Sequence, residues 1–163
     1  MSHVITVEAI ITIAVVVGAS ALAYAFTAGA STLTATYIES QRAESVKVKT
    51  AVKVVFAANS SETEVRVWVK NVGLTWMAGD LVARGDVFFG PSGNFTRIPH
   101  YEEGMAPPYW TYEIAEDLDG DGVWDPSETI VITIVLSEPL QQGEYYVKYV
   151  TYNGVSDCMW FSI

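Results

Sequence analysis

The sequence predicts an α+β arrangement, a long N-terminal α-helix followed by an all-β antiparallel sandwich. Three observations carry this expectation. Residues Val4–Phe26 read VITVEAIITIAVVVGASALAYAF, with Glu8 the only charge and no proline. Beyond about residue 45 the chain alternates apolar and polar residues over short runs, the period of strands buried on one face. Clusters of Gly, Pro, Asn and Asp punctuate those runs at roughly 8–12-residue intervals, as in sandwiches.

The apolar run is long enough to cross a bilayer. About 20 residues at 1.5 Å rise each cover a hydrocarbon core roughly 30 Å thick. A buried core helix would need a polar face to turn toward water, and almost none is present. A secretory signal peptide would need a basic flank, a shorter apolar core and a small-x-small cleavage box. Only Met1, Ser2 and His3 precede the run, and it continues past Ala19-Ser20-Ala21. The segment is therefore expected to be retained.

Glu8 is the exception within that run, because a lone carboxylate in lipid is costly and calls for a partner. Two placements are open, an assembly contact with a neighbouring helix and snorkelling to the headgroups. Thr6, Thr12, Gly18, Ser20 and several alanines keep the surface small, which suits close packing of like helices. The helix is expected to continue through the polar stretch Thr27–Ser45, where Gly29 allows a bend. A single helix over residues 4–43 would be about 60 Å long. Two domains follow from this reading, an N-terminal transmembrane and assembly helix (1–45) and a β-sandwich (46–163).

The strands are read in order. Val46–Thr50 and Val52–Val54 alternate, Asn59–Glu62 is a turn, and Glu64–Lys70 alternates again. Val87–Phe89, the turn Gly90–Asn94 and Phe95–Ile98 form a hairpin. Trp110–Ile114, the β-branched Thr129–Leu136, Tyr145–Tyr152 and Cys158–Ile163 follow, the last after an Asn153-Gly154 turn. The set corresponds to an Ig-like sandwich. Trp68, Trp110, Trp124 and Phe88 are candidates for its core or an interface. Cys158 reads as a small core filler in the last strand.

Composition excludes several classes. The chain has 163 residues, a net charge of −10 and a pI near 4.5, a balance that argues against nucleic acid. One cysteine excludes an intrachain disulfide and a cysteine-based zinc site. Two sequons, at Asn59 and Asn94, are candidate glycosylation sites in turn-like stretches. No phosphate loop, HExxH or nucleophile–base pattern occurs, and His100 reads as a loop-surface residue. A non-enzymatic protein is expected.

One motif carries chemistry. Asp117–Glu128 reads DLDGDGVWDPSE and fits D-x-[DN]-x-[DN]-G-x5-E at every specified position. Asp117, Asp119 and Asp121 would supply carboxylates, Gly122 the sharp turn and Val123 its carbonyl. Asp125 would add a ligand directly or through water, and Glu128 would close the shell. The cofactor indicated is a structural calcium ion. The flanks are strands instead of a helix pair, which points to a static clip. The competing reading is a solvated acidic turn.

Taken together, an N-terminal pilin-like helix and a small β domain resemble the archaellin and archaeal pilin superfamily. Val69–Gly73, Asp86–Gly90 with Arg97-Ile98-Pro99, and Tyr152–Ser156 are similar to the archaellum (archaeal flagellum) stator family FlaG, with the sister family FlaF a close rival. The resemblance implies a structural motor component without catalytic residues, anchored in the cytoplasmic membrane with its β domain outside. It also implies self-assembly and contact with a FlaF-like protein and, through it, the S-layer. The alternatives are an archaellin or pilin in an extracellular filament, and a membrane-tethered calcium-dependent module that binds S-layer or glycan.

Overall fold

A computed structural model describes residues 2–115, 117 and 119–163, with side chains from residue 7 onward; the His3 and Thr6 side chains lie outside the described residues. The expected arrangement is the observed one, a long helix followed by two antiparallel sheets. The chain divides into two compact units, Met1–Glu44 and Ser45–Ile163.

The described residues of the first unit are all helical, and helix α1 (Ser2–Lys49) runs through Gly29 without interruption. Its hydroxyls do not compete with the backbone ladder. Thr12, Ser20, Thr27, Thr32, Thr34 and Thr36 each donate to the carbonyl one turn back, at 2.8–3.0 Å. That internal satisfaction suits a medium poor in water, where an unpaired hydroxyl is costly. Within the span from Val7, an 18-residue window has a mean hydropathy of 2.2, and none of that window is buried within the chain.

Val46–Lys49 closes the helix instead of opening a strand. Its alternation has the strand period, but the helix finds a better ending here. Buried Thr50 donates through both its backbone N–H and its Oγ1 to the Val46 carbonyl, at 3.0 and 2.8 Å. Lys47 and Lys49 stand in the last turn, where cations favour the carbonyl end of the helix dipole. Two valines in a helix cost only a few tenths of a kcal/mol each, so this ending prevails.

One sheet has the order β1 (Val52–Ser61), β2 (Glu64–Asn71), β6 (Thr129–Val135), β5 (Tyr109–Ile114). The other runs β4 (Thr96–Ile98), β3 (Asp86–Pro91), β7 (Glu144–Val150), β8 (Ser156–Ser162). Every ladder between named strands is antiparallel. The inner faces interdigitate in one core. Val65, Val67, Val69, Ile130, Ile132, Ile134 and Trp110 line one wall, and Val87, Phe89, Val147 and Tyr149 the other. A short helix, α2 (Gly79–Ala83), adds Val82 to that core.

The outer edges of the two sheets are joined side to side. At one seam, Asp157 of β8 accepts the Val54 backbone N–H at 2.9 Å and pairs with Lys53 at 3.1 Å. At the other, Tyr101 and Trp110 backbone N–H groups donate to the Trp110 and Pro99 carbonyls. Edges satisfied in this way do not template strand addition.

Several expectations are corrected. Asn59 lies in β1, paired with Val65, and the turn falls later, at Glu62-Thr63. Asn94 does lie in an exposed turn. Cys158 is exposed, because β8 turns Met159 and Phe161 inward and leaves their neighbours outside. His100 is half-buried and stacks edge-on against Trp110 at 4.6 Å. Burial there holds its imidazole below the usual range. Of the four aromatic candidates, Trp110 and Trp124 are fully buried, whereas Trp68 and Phe88 are half-exposed on outer faces.

Candidate metal centre

The acidic loop connects β5 to β6, two neighbours in the same sheet, so strands flank it on both sides. Its turns are set by backbone conformations that the sequence signals. Gly120 and Gly122 have φ of +76° and +75°, the left-handed region that glycine reaches without penalty. Ser127 shares that conformation at φ 77°. Its N–H donates to the Asn71 carbonyl at 2.8 Å, which holds the strained residue in place.

The carboxylates converge. Ligand oxygens of Asp117, Asp119 and Glu128 lie within 4.8 Å of one another, and so do those of Asp119, Asp121 and Asp125. Calcium–oxygen bonds of roughly 2.3–2.6 Å place opposite ligands about 4.6–5.2 Å apart, so this spacing fits a calcium shell. The Asp117 carboxylate accepts the Gly120 and Gly122 N–H groups at 2.7 and 3.0 Å. Those bonds hold its pKa below the usual range. Asp125 shifts the opposite way, raised by desolvation and then by the charges of Asp121 and Asp119. A dication among these groups would remove that repulsion. Val123, at the seventh loop position, shares a shallow hollow with Asp121, Asp125 and Trp76.

The floor of the loop is buried and hydrogen-bonded. Glu128 is only 2 % exposed, and its Oε2 accepts the Asp125 N–H at 2.9 Å. Trp124 is buried beneath, with its indole N–H on the Glu128 carbonyl at 3.1 Å. Its backbone exchanges two 3.0 Å hydrogen bonds with Met77. Sequence reading missed the residue that ties these parts together, buried Asn71. Its Nδ2 donates to the Thr75 and Trp124 carbonyls at 2.8 and 3.3 Å, and its Oδ1 accepts the Gly73 N–H at 3.1 Å. Gly73 in turn lies against the helix exit, where a Cβ would stand 2.5 Å from Ala51 N and 2.6 Å from Lys49 O. The only signal in the sequence was Asn-x-Gly after a strand.

The Glu8 side chain is exposed on α1. His100 contacts Trp110 and Tyr112, whose hydroxyl donates to the Gly79 carbonyl.

One exposed apolar helix, a sandwich and an acidic loop define a structural subunit. The chain belongs to the archaeal-type flagellin family, which it matches over residues 4–161. It is similar to the archaellum periplasmic stator protein FlaG from Sulfolobus acidocaldarius, with 29% identity and a TM-score of 0.58. That match covers 69% of this chain and 99% of the other. A chain of the archaellum periplasmic stator protein complex FlaF and FlaG from the same organism aligns comparably, at 29% identity and a TM-score of 0.57, over 68% of this chain and 87% of that one. A protein of Archaeoglobus fulgidus, described only as uncharacterized, is 31% identical over 121 residues, 71% of each chain.

Proposed function

We propose that this chain is a stator-type structural subunit of the archaellum motor, without enzymatic activity. The observation that carries the reading is the likeness to FlaG, which covers 99% of that structure. It favours this role over an external filament subunit and over a tethered glycan-binding module. In this reading α1 anchors the protein in the cytoplasmic membrane and the sandwich stands on the extracytoplasmic side. Its partners are copies of itself, met through α1, and a FlaF-like protein that links it to the S-layer. A calcium ion held by Asp117, Asp119, Asp121, the Val123 carbonyl, Asp125 and Glu128 stiffens the sandwich. Asn59 and Asn94 remain candidate glycan acceptors, both exposed.

Deleting the gene in its native host tests the role. Cells are expected to assemble archaella that no longer swim, with motility restored by the full chain. Normal swimming of the deletion strain would refute the stator reading. The assembly role of α1 is tested separately by Glu8→Leu in the detergent-solubilised full chain. A change in oligomer size by light scattering is expected if Glu8 contacts a neighbouring helix. An unchanged size places the carboxylate at the headgroups instead.

A further inference from the structure

We infer that the outer face of the β1–β2–β6–β5 sheet carries a binding platform for an acidic saccharide, built on Phe56 and Trp68 and rimmed by Arg66 and Lys70. The inference goes beyond the stator reading. It adds a ligand to that role and rests on neither α1 nor the acidic loop.

The platform originates in a fault in strand alternation. In β1 the pairing steps from Val54↔Val69 to Phe56↔Trp68, leaving Val55 as an extra residue. Such a bulge bends the strand and re-aims its side chains. Val55 and Phe56 are accordingly exposed in succession, at 47% and 54%. Phe56 leans on half-exposed Trp68 at 5.2 Å, and Ala115 and Thr129 are short enough to leave a hollow of about 390 Å³ beside the two rings. Paired rings held open to solvent offer the flat apolar surface that the C–H face of a pyranose covers.

Polar rows border the rings. Residues two apart in a strand share a face, so Arg66 and Lys70 flank Trp68 along β2. Across the sheet, Arg66 is followed by Thr133 and Thr111, and Lys70 by Thr129. Three threonines and two cations around an aromatic floor match a ring that has an apolar face and a hydroxyl rim. Charge then sets the class of sugar. Lys53 lies opposite Lys70 and adds a third cation. Arg66 and Lys53 have carboxylate partners in Glu64 and Asp157, whereas Lys70 has no ion pair among the described residues. The carboxylate on the Trp68 row, Glu113, stands beyond Val131, away from this rim. On a chain of net charge −10, a cationic patch is complementary to an anionic ligand, and a carboxylate or sulfate on the sugar would meet Lys70. A peptide fits less well. β2 lies inside the sheet, paired on both sides, so its backbone is closed to strand addition.

The test titrates the full chain, in a polyoxyethylene detergent that carries no sugar headgroup, with hexagalacturonate, a sulfated dextran oligomer and neutral maltohexaose. At least one acidic probe is expected to bind and quench tryptophan fluorescence, with maltohexaose weaker by about tenfold or more. Lys70→Gln and Arg66→Gln should each weaken binding about tenfold, as charge-assisted hydrogen bonds are lost. Trp68→Ala should abolish binding, and Trp68→Phe should keep most of it while losing the quench. Thermal melts like the parent's are expected for these outer-face variants, and Phe56→Ala carries the same test if Trp68→Ala does not fold. Failure of both acidic probes to bind, equal affinity for maltohexaose, or binding that survives loss of the aromatic ring would overturn the inference. Oligoglutamate binding as tightly as the acidic sugars would assign the patch to an acidic protein segment and overturn it as well.

Discussion

Asn71→Ala is expected to destabilise the sandwich by about 2–4 kcal/mol, because it removes three hydrogen bonds at a fully buried position. The cost lies less in the lost bonds than in the groups left behind. The Thr75 carbonyl and the Gly73 N–H would lose their side-chain partner, and the Trp124 carbonyl would keep only the Met77 N–H. For a domain of this size the loss corresponds to a melting temperature lower by roughly 10 °C. The damage should be local at first, since Asn71 joins the Gly73 turn, the 75–77 segment and the floor of the acidic loop. Hydrogen exchange of the Met77 and Trp124 amides, which bond to each other's carbonyls, should therefore accelerate more than that of β7. A melt within about 1 °C of the parent would show that the knot is not a stabilising element.

Calcium is expected to raise the melting temperature of the full chain by a similar amount. A ligand that binds only the native state stabilises it by about 2.7 kcal/mol at a hundredfold excess over Kd. Magnesium should do less, because its octahedral shell dehydrates reluctantly. Asp119→Asn with Asp121→Asn is the informative variant, since both side chains are exposed and the change is isosteric. It should remove the calcium shift while leaving the melt in chelator unchanged or slightly higher, as like charges beside Asp125 are relieved. Glu128 serves this purpose poorly, because its carboxylate also holds the Asp125 N–H on the buried side of the loop. Superimposable melts in chelator and millimolar calcium would return the segment to an ordinary acidic turn.

Much of the architecture was legible because its signals are local. β6 and β7 announced themselves through β-branched and aromatic alternation, and the Asn153-Gly154 turn closes with Gly154 at φ 84°. The twelve-residue loop was legible for the same reason, since ligand spacing, positive-φ glycines and strand flanks all lie within one stretch. Misreadings fell where two local signals compete. Val46–Lys49 has the strand period, yet Thr50, buried and bonded to Asn153, ends the helix there. Cys158 was assigned to the core on its residue type. The phase of β8 is set by its pairing with β7, which places Cys158 opposite Lys148 on the outer face.

By itself, the sequence determined a long apolar helix, a sandwich, an acidic loop between two strands and a structural class, because periodicity and spacing act between residues near in the chain. Only the tertiary structure decided what depends on distant partners. It made Asn71 the tie between the helix exit and the acidic loop, through bonds to residues as distant in the chain as Trp124 and Glu128. It made Asp157 the seam between the sheets, and the Val55 bulge the origin of an exposed aromatic hollow. Hydrogen bonds and strand register are satisfied across space, and a pattern read along one segment does not contain them.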